Sequence, residues 1–303
     1  MDDRDRLPEA VLIAGPTASG KSDLATSLAE RIGGAVVNAD SMQLHAGLRS
    51  VTARPGVADE ARVPHHLYGC VSPGEPASAA AYLERVEALL PELRRQGSIP
   101  VFVGGTGLYI NALERGLAPV PPIAETVRAE VRRLDAPSLA AALAVEDPDI
   151  ASTLRATDTQ RLGRALEVRR STGRSLLEWQ RESEPGPLAG LRLERICLLP
   201  DRAWLHERIA RRAASIVDDP AAQAEVRALK AVDQQLETPP AKAIGVAELD
   251  ALGTGEVSRE EAVRRLTVAT RRYAKRQYTW FNNSLGDGWR IIRPPRDDPA
   301  QLR

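Results

Sequence analysis

The feature that most constrains this chain is the segment GPTASGKS at residues 15–22. It matches the pattern GxxxxGK[ST] and lies between an apolar run, Ala10–Ala14, and a stretch with helical spacing, Ser22–Arg31. This context predicts a buried strand, a phosphate-binding loop and a helix, in that order. The predicted phosphate-binding residues are Gly15, Pro16, Thr17, Ala18, Ser19, Gly20, Lys21 and Ser22.

Each part of this loop suits a phosphate. Backbone N–H groups of the loop and of the helix N-terminus carry partial positive charge, and Lys21 adds a full charge. The Ser22 hydroxyl is the predicted protein ligand of Mg²⁺. The sequence therefore predicts a ligand with at least a diphosphate. Kinases, NTPases and other transferases share such a loop, so the loop alone does not name the reaction.

A parallel sheet is predicted around the loop, because the first third of the chain alternates short apolar runs with helical patterns. The other predicted strands are Ala35–Asn38, Ile99–Val103, Ile196–Leu199 and an edge strand at Trp289–Ile292. Long helices are predicted around Tyr82 to Leu93, after Pro200, and over Glu260–Phe281.

A proline cluster, Pro119, Pro121 and Pro122, interrupts this alternation, and the stretch that follows is rich in Ala, Leu and Arg. The predicted fold class is α/β. A P-loop NTPase-like core, residues 1–119 and 192–303, contains the parallel sheet flanked by helices, and a helical insertion domain occupies residues 120–191.

Composition narrows the class of protein. The chain has 303 residues and a formal net charge of +0, so any nucleic-acid surface must be local. Its two cysteines, Cys70 and Cys197, lie far apart and fit neither a disulfide scaffold nor a zinc site, which favours a reducing cytoplasm. We find no secretory signal and no run of about 18 apolar residues, so no membrane contact is expected. A monomer is the expected state.

Two further segments are candidates for the same ligand site. Asp40 follows a predicted strand, so its carboxylate is expected at the sheet edge that carries the phosphate loop. It can act as a base, but an aspartate before Ser41 is also a good helix cap, and both readings stay open. The run Gly104–Gly107 lets backbone approach a ligand, and Thr106 can donate to a phosphate oxygen. A plain strand-to-helix turn explains that run equally well.

Taken together, these segments resemble the tRNA dimethylallyltransferase family, also called tRNA isopentenyltransferases. The resemblance spans nearly the whole chain. It is carried by GPTASGKS at residues 15–22, NADSMQ at 38–43, PHHL at 64–67, GGTGLY at 104–109, QRLGRALEV at 160–168, AIG at 243–245 and TRRYAKRQYTWF at 270–281. One departure is a Val-Thr-Ala-Arg-Pro segment, residues 51–55, where the family carries Gly-Thr-Ala-Lys-Pro.

The resemblance implies a prenyl transfer. Such enzymes join the dimethylallyl group of dimethylallyl diphosphate to N6 of adenosine 37 in tRNA, and diphosphate leaves. Negative charge then develops on the diphosphate, and the implied catalytic groups Lys21, Thr106 and Arg212 would stabilise it together with Mg²⁺ held through Ser22. The adenine amine is a poor nucleophile, so Asp40 is the implied proton acceptor, as a general base or as an orienting group.

The target base has to leave the anticodon stack to reach the diphosphate. The resemblance implies tRNA contacts at Asp40, Ser41, Met42, Gln43, Thr106, Arg128, Gln160, Arg161, Leu162, Gly163 and Arg164.

Two basic runs, each explicable alone as a solvated helix face, become candidates for the phosphate backbone of the anticodon stem-loop. They are Arg155, Arg161, Arg164, Arg169, Arg170 and Arg174 in the insertion, and Arg264, Arg265, Arg271, Arg272, Lys275 and Arg276 later in the chain. The aromatic residues beside the second run are expected in the core more than on stacked bases; they are Tyr273, Tyr278, Trp280 and Phe281.

Three alternatives share part of this pattern. A P-loop kinase of a nucleoside or small metabolite would share the loop and Asp40, but it does not explain the pairing of ADSMQ with GGTGLY. An adenylate isopentenyltransferase would perform the same chemistry on a free nucleotide, and the basic insertion favours tRNA over it. A nucleic-acid-binding NTPase would need a strand that ends in a Walker-B acid, and only the Asp40 region offers one.

Overall fold

A six-stranded parallel sheet forms the centre of the protein in a computed structural model, which describes residues 7–72, 75, 77–236 and 238–297. The strand order is β3-β2-β4-β1-β5-β6, and every neighbouring pair is parallel. The strands are β1 (Ala10–Ala14), β2 (Gly34–Asn38), β3 (His65–His66), β4 (Ile99–Gly104), β5 (Leu193–Leu198) and β6 (Arg290–Ile292). The predicted α/β class and the parallel sheet are confirmed.

Thirteen helices accompany the sheet in the described residues. They are α1 (Lys21–Ile32), α2 (Val57–Glu60), α3 (Ala79–Arg95), α4 (Gly107–Arg115), α5 (Glu125–Arg132), α6 (Ala136–Glu146), α7 (Pro148–Thr153), α8 (Thr159–Thr172), α9 (Leu176–Arg181), α10 (Arg202–Asp218), α11 (Pro220–Val232), α12 (Val246–Gly253) and α13 (Arg259–Ser284). Short 3-10 turns follow at Met42–Leu44 and Pro240–Lys242.

The sheet is buried on both faces, as a parallel sheet requires. One face packs against α3, α4 and α13 through side chains such as Tyr82, Ile110 and Phe281. The opposite face packs against α1, whose Leu24 and Ala25 belong to the same core cluster as alternate residues of β1, β2 and β4. The strong apolar runs therefore made the central strands predictable, and β1 has the predicted bounds.

The weaker elements were less predictable. The two-residue strand β3 was not predicted, because a pair of histidines at a sheet edge has neither apolar alternation nor length. Strand β5 begins at Leu193, three residues before its predicted start, because its polar first half still pairs with β1. Helices α11 and α12 were also not predicted as separate elements.

The chain divides into two compact units, residues 1–113 with 187–303, and residues 114–186. Both divisions come a few residues earlier than the predicted boundaries at 119/120 and 191/192. The reason at the second boundary is Leu188, which is fully buried in the main core and donates its N–H to the Leu113 carbonyl at 2.9 Å. The second unit has its own core, in which Leu143, Leu162 and Leu166 are buried.

The structure also describes the two cysteines and the apolar character of the helices. Cys70 is exposed and Cys197 is buried, and both are free thiols. Among the described residues, no helix combines the length and the apolar character needed to cross a bilayer.

His45 is a buried ionisable side chain close to the sheet edge. It follows the first 3-10 turn, is 1% exposed, and neither ring nitrogen has a hydrogen-bond partner. Burial lowers the pKa of His45 below its ordinary value, because a charged imidazole would lose its hydration. The folded protein therefore holds His45 neutral.

We expect this burial to make folding stability pH-dependent. Because the folded pKa lies below the unfolded value of about 6.5, the stability is present above that value and is lost as pH falls through the folded pKa. Replacing His45 by Phe should reduce the slope of unfolding free energy against pH by up to about 1.4 kcal/mol per pH unit. Urea unfolding between about pH 5 and pH 8 measures this slope, and an unchanged slope in H45F would contradict the assignment.

Candidate active site

The phosphate loop has the predicted strand-loop-helix context and an open helix end. It leaves β1 at Ala14 and enters α1 through Gly20, whose φ of 90° is the left-handed conformation that glycine favours. Ala18 also has a positive φ, 63°. No side chain caps the start of α1, so its first-turn N–H groups remain for an anion.

Lys21 lies at the centre of the positive charge in this site. Its ammonium donates to the Pro16 carbonyl at 3.2 Å. Burial lowers the pKa of Lys21 to about 8; the nearby Asp40 carboxylate opposes this shift and the Arg212 guanidinium adds to it. An anion bound here would favour the charged form of Lys21 and so raise its pKa again.

Asp40 has the capping role that the sequence left open, and the role as a base stays a prediction. Its carboxylate oxygen Oδ1 accepts the Met42 N–H at 3.0 Å, which is the capping role. Its other oxygen, Oδ2, accepts no hydrogen bond from the part of the chain that the structure describes. Asn38 fixes the segment by exchanging hydrogen bonds with the Asp40 backbone at 2.9 and 3.0 Å. One oxygen is thus held in place while the other can accept a proton.

Thr106 supports the Asp40 segment from the neighbouring loop. Its hydroxyl accepts the Ser41 N–H at 3.0 Å and donates to the Ser41 hydroxyl at 3.3 Å. Thr106 itself is not among the residues that line the cavity beside Lys21. Donation from Thr106 to a phosphate oxygen, as the sequence predicts, would have to replace its bond to the Ser41 hydroxyl.

Two arginines of α10 approach the loop. Arg212 donates to the Thr52 carbonyl at 3.2 Å, and burial lowers its pKa from the ordinary arginine value. Arg208 donates to the Ala18 carbonyl at 2.9 Å and lies 4.8 Å from the centre of the Trp204 ring. The structure therefore brings together Lys21, Asp40 and Arg212, and it adds Arg208, which the sequence did not single out.

Lys21, Asp40 and Arg212 share one cavity of about 320 Å³, which Arg208 does not line. Its polar lining includes Thr17, Lys21, Ser22, Asp40, Ser41, Gln43, Thr52, Tyr68, Arg212, Thr270, Tyr273 and Arg276. Its apolar lining is formed by Met42, Val51, Ala53, Val103, Ile209, Ala213, Ile216, Ala243, Ile244 and Leu266. Charged groups and an apolar wall thus face the same space.

Tyrosines surround Asp40 and were not predicted to belong to this site. Burial raises the pKa of Tyr68 and of Tyr273, and the Asp40 carboxylate raises both further. The same two causes raise the pKa of Tyr109 to about 12. These phenols therefore stay protonated and can donate hydrogen bonds. Tyr278, Trp280 and Phe281 pack on the core, as the sequence predicts.

Glu225 also supports this site, and no local pattern in the sequence predicted it. Its carboxylate accepts three consecutive backbone N–H groups, those of Arg49, Ser50 and Val51, at 2.8 to 3.0 Å. This anchors the loop whose next carbonyl, that of Thr52, accepts bonds from Arg212 and from Gln43. Only the folded chain joins these segments, because Glu225 lies more than 170 residues further along the sequence.

The remaining predicted tRNA contacts lie in the helical unit. Arg128 is on α5, which packs against α8, where Gln160, Arg161 and Arg164 are exposed. Leu162 differs, because its side chain is 2% exposed and packs in the core of that unit. The Leu162 side chain is therefore not accessible to tRNA, contrary to the prediction.

The two basic runs differ in how much charge remains unpaired. In the insertion, Arg161, Arg164, Arg170 and Arg174 each pair with a carboxylate of the same unit. On α13, Arg264 and Arg265 both pair with Glu261. The later members of that helix, Arg271, Arg272, Lys275 and Arg276, are exposed and form no ion pair within the described residues.

The site near Ser22 fits a magnesium ion that is also coordinated by the phosphate oxygens of a ligand. No group of three or more His, Cys, Asp or Glu side chains that could hold a metal ion occurs in the described residues. Mg²⁺ commonly takes only one or two protein ligands and completes its coordination with phosphate oxygens and water. Ser22 lines the same cavity as Lys21 and Asp40, where such an arrangement can form.

The lowered pKa of Lys21 predicts proton-linked anion binding. A bound diphosphate should raise that pKa, so affinity for inorganic pyrophosphate should fall by up to about tenfold per pH unit above about pH 8. Titration calorimetry from about pH 7 to pH 9.5 measures this dependence. The K21R variant is the control, because arginine stays charged and leaves only the titration of pyrophosphate itself. Identical pH profiles for the two proteins would contradict the assignment.

Comparisons with known proteins agree with this geometry. The family model described as IPP transferase matches residues 43–284, and the model described as Isopentenyl transferase matches residues 8–65. A relative from Rhizobium johnstonii, a "tRNA dimethylallyltransferase", is 51% identical over 92% of this chain and 95% of its own length. A relative of the same name from Methylobacterium radiotolerans is 48% identical over 97% and 96%.

Solved structures give the same result. The tRNA isopentenylpyrophosphate transferase of Bacillus halodurans matches with a TM-score of 0.67 at 31% identity, over 95% of this chain and 90% of that one. A eukaryotic dimethylallyltransferase described as acting on tRNA matches with a TM-score of 0.79 at 26% identity, over 96% and 75%. The extent of the family match and the identity to curated relatives show that the chain belongs to the IPP transferase family of prenyltransferases.

Proposed function

We propose that this chain transfers the dimethylallyl group of dimethylallyl diphosphate to N6 of adenosine 37 in tRNA and releases diphosphate. The observation that carries the proposal is the shared cavity. Lys21 and Ser22 offer a diphosphate site, and Asp40 offers a proton acceptor in the same space. The names of the relatives, which are tRNA dimethylallyltransferases, support the same transfer.

The apolar wall suits the prenyl group. Ile209, Ile216 and Ile244 line the cavity together with the cationic groups that would hold the diphosphate. A five-carbon allylic chain can lie against this wall while its diphosphate contacts Lys21 and Arg212. Burial of that chain also keeps water away from the allylic carbon.

The proposed reaction is a single displacement. The N6 lone pair forms a bond to the first carbon of the prenyl chain as the bond from that carbon to the diphosphate oxygen breaks. The N6 proton passes to Oδ2 of Asp40, while Lys21 and Arg212 stabilise the charge that develops on the leaving oxygens. Mg²⁺ held by Ser22, when bound, would supply further charge neutralisation on the diphosphate.

The proposed tRNA surface is built mainly from exposed side chains. The cations of α13 without an ion pair among the described residues, Arg271, Arg272 and Lys275, are suited to the phosphate backbone of the anticodon stem-loop. On the helical unit, the half-buried Arg128 and Gly163 and the exposed Gln160, Arg161 and Arg164 are proposed contacts. We also propose that Asp40 to Gln43 contact the flipped adenine, and that the enzyme acts as a cytoplasmic monomer.

The proposal is tested by product analysis. The protein is incubated with labelled dimethylallyl diphosphate, Mg²⁺ and unmodified tRNA, and the RNA is digested to nucleosides. We expect labelled N6-prenyladenosine from tRNA, and no product from free AMP. Phosphate transfer from ATP to a nucleoside, without prenylated tRNA, would favour a kinase; product from AMP alone would favour an adenylate isopentenyltransferase.

The D40N variant tests the proton acceptor. Asparagine still offers an oxygen to the Met42 N–H, so the cap persists while the basic carboxylate is lost. We expect kcat to fall by about 10²- to 10⁴-fold with tRNA affinity retained. The matched control is D135N, the same change at the aspartate that caps α6 in the helical unit. Near wild-type turnover in D40N would exclude Asp40 as the proton acceptor.

A further inference from the structure

Gln277 is a buried amide that joins the two loops of the active site. It lies on α13 and is 6% exposed. Its carbonyl oxygen accepts the Thr17 N–H at 2.9 Å, and its amide nitrogen donates to the Gly105 carbonyl at 2.8 Å. A donor on one side and an acceptor on the other allow only this orientation of the amide.

The surroundings show that this bridge is built for a glutamine. A Cβ at Gly105 would overlap the Gln277 amide nitrogen, so the glycine provides the space for that contact. The Thr17 N–H belongs to the phosphate loop, where backbone N–H groups ordinarily face phosphate oxygens. In this chain that N–H is committed to Gln277, which makes the amide part of the framework of the loop.

The bridge continues to the proton acceptor. Gly105 is followed by Thr106, whose hydroxyl accepts the Ser41 N–H, and Ser41 follows Asp40. A continuous series of hydrogen bonds and adjacent residues therefore runs from Thr17, at the diphosphate end, to Asp40, at the acceptor end. Residues Thr270, Tyr273 and Arg276 of the same helix line the cavity that Thr17 and Asp40 also line.

We infer that Gln277 is a positioning residue, which sets the distance between the loop that holds the diphosphate and the carboxylate that receives the adenine proton. The inference rests on the proposed function. Direct displacement needs the nucleophile, the allylic carbon and the leaving oxygen in line, with reacting atoms roughly 3–3.5 Å apart. Gln277 holds both ends of that line to one helix without touching the reacting atoms itself.

The Q277L variant tests this role because leucine removes both hydrogen bonds while roughly keeping the volume. We expect kcat to fall by about 10²-fold, since a misplacement of about 1 Å can cost that much. The Kd of inorganic pyrophosphate and the Kd of tRNA should each stay within about threefold, because each binding surface remains. The control is T279A on the exposed side of α13, which should keep wild-type kcat and Tm.

A second variant covers the case in which Q277L does not fold. G105A keeps the glutamine but pushes its amide away, and it should lower kcat in the same way. A double-mutant cycle of Q277L with T106V should be non-additive, because both changes interrupt the same series of contacts. A merely structural role would give additive losses or a lower Tm with unchanged kcat.

The outcomes separate this inference from the proposed function. The inference would be overturned if folded Q277L or G105A kept the kcat of the wild type, or if the effects in the cycle were additive. The proposed function would still stand if the wild-type protein transfers the prenyl group. A wild-type protein that transfers no prenyl group to tRNA would overturn both.

Discussion

The register of three parallel strands determines where the reactive groups of this site can lie. Strand β4 pairs with β1 and β2, so Gly104 is opposite Ala14 and Val103 is opposite Asn38. The three loops that follow therefore leave the sheet side by side. A Cβ at Gly104 would overlap the Ala39 carbonyl, so glycine at the end of β4 is what allows the neighbouring loop to pass so closely.

This arrangement concentrates positive charge at a cost to stability. Lys21 and Arg212 are both desolvated, and burial lowers the pKa of each. Asp40 offsets part of this charge, but one carboxylate does not balance the two groups and Arg208 beside them. A polyanionic ligand would neutralise the remaining positive charge. The site therefore destabilises the protein most when no ligand is bound, as expected where binding and stability compete.

Most of the sheet, the phosphate loop and Asp40 could be predicted from the sequence, for a physical reason. Strand β1 and the loop after it are encoded within thirteen consecutive residues, and Asp40 follows the next strand directly. The hydrogen-bond partners of Gln277 are 172 and 260 residues away in the sequence, and those of Glu225 are 174 to 176 residues away. Only the tertiary fold brings these residues to their partners. The same limit applies to charge: the arginine runs were visible, but the ion pair of Arg170 with Glu146 was not.

The wall of the cavity explains how a loop shared with kinases can serve a prenyl donor. In phosphoryl transfer the bond that breaks lies among the phosphates, whereas in the proposed prenyl transfer it joins diphosphate to an allylic carbon with cation-like character in the transition state. Water near that carbon would compete with the adenine amine, so the side chains beside it must exclude water rather than bind a second polar group. Ile209, Ile216 and Leu266 place apolar surface in the same cavity as Lys21, which is the lining that the proposed reaction requires beside its allylic carbon.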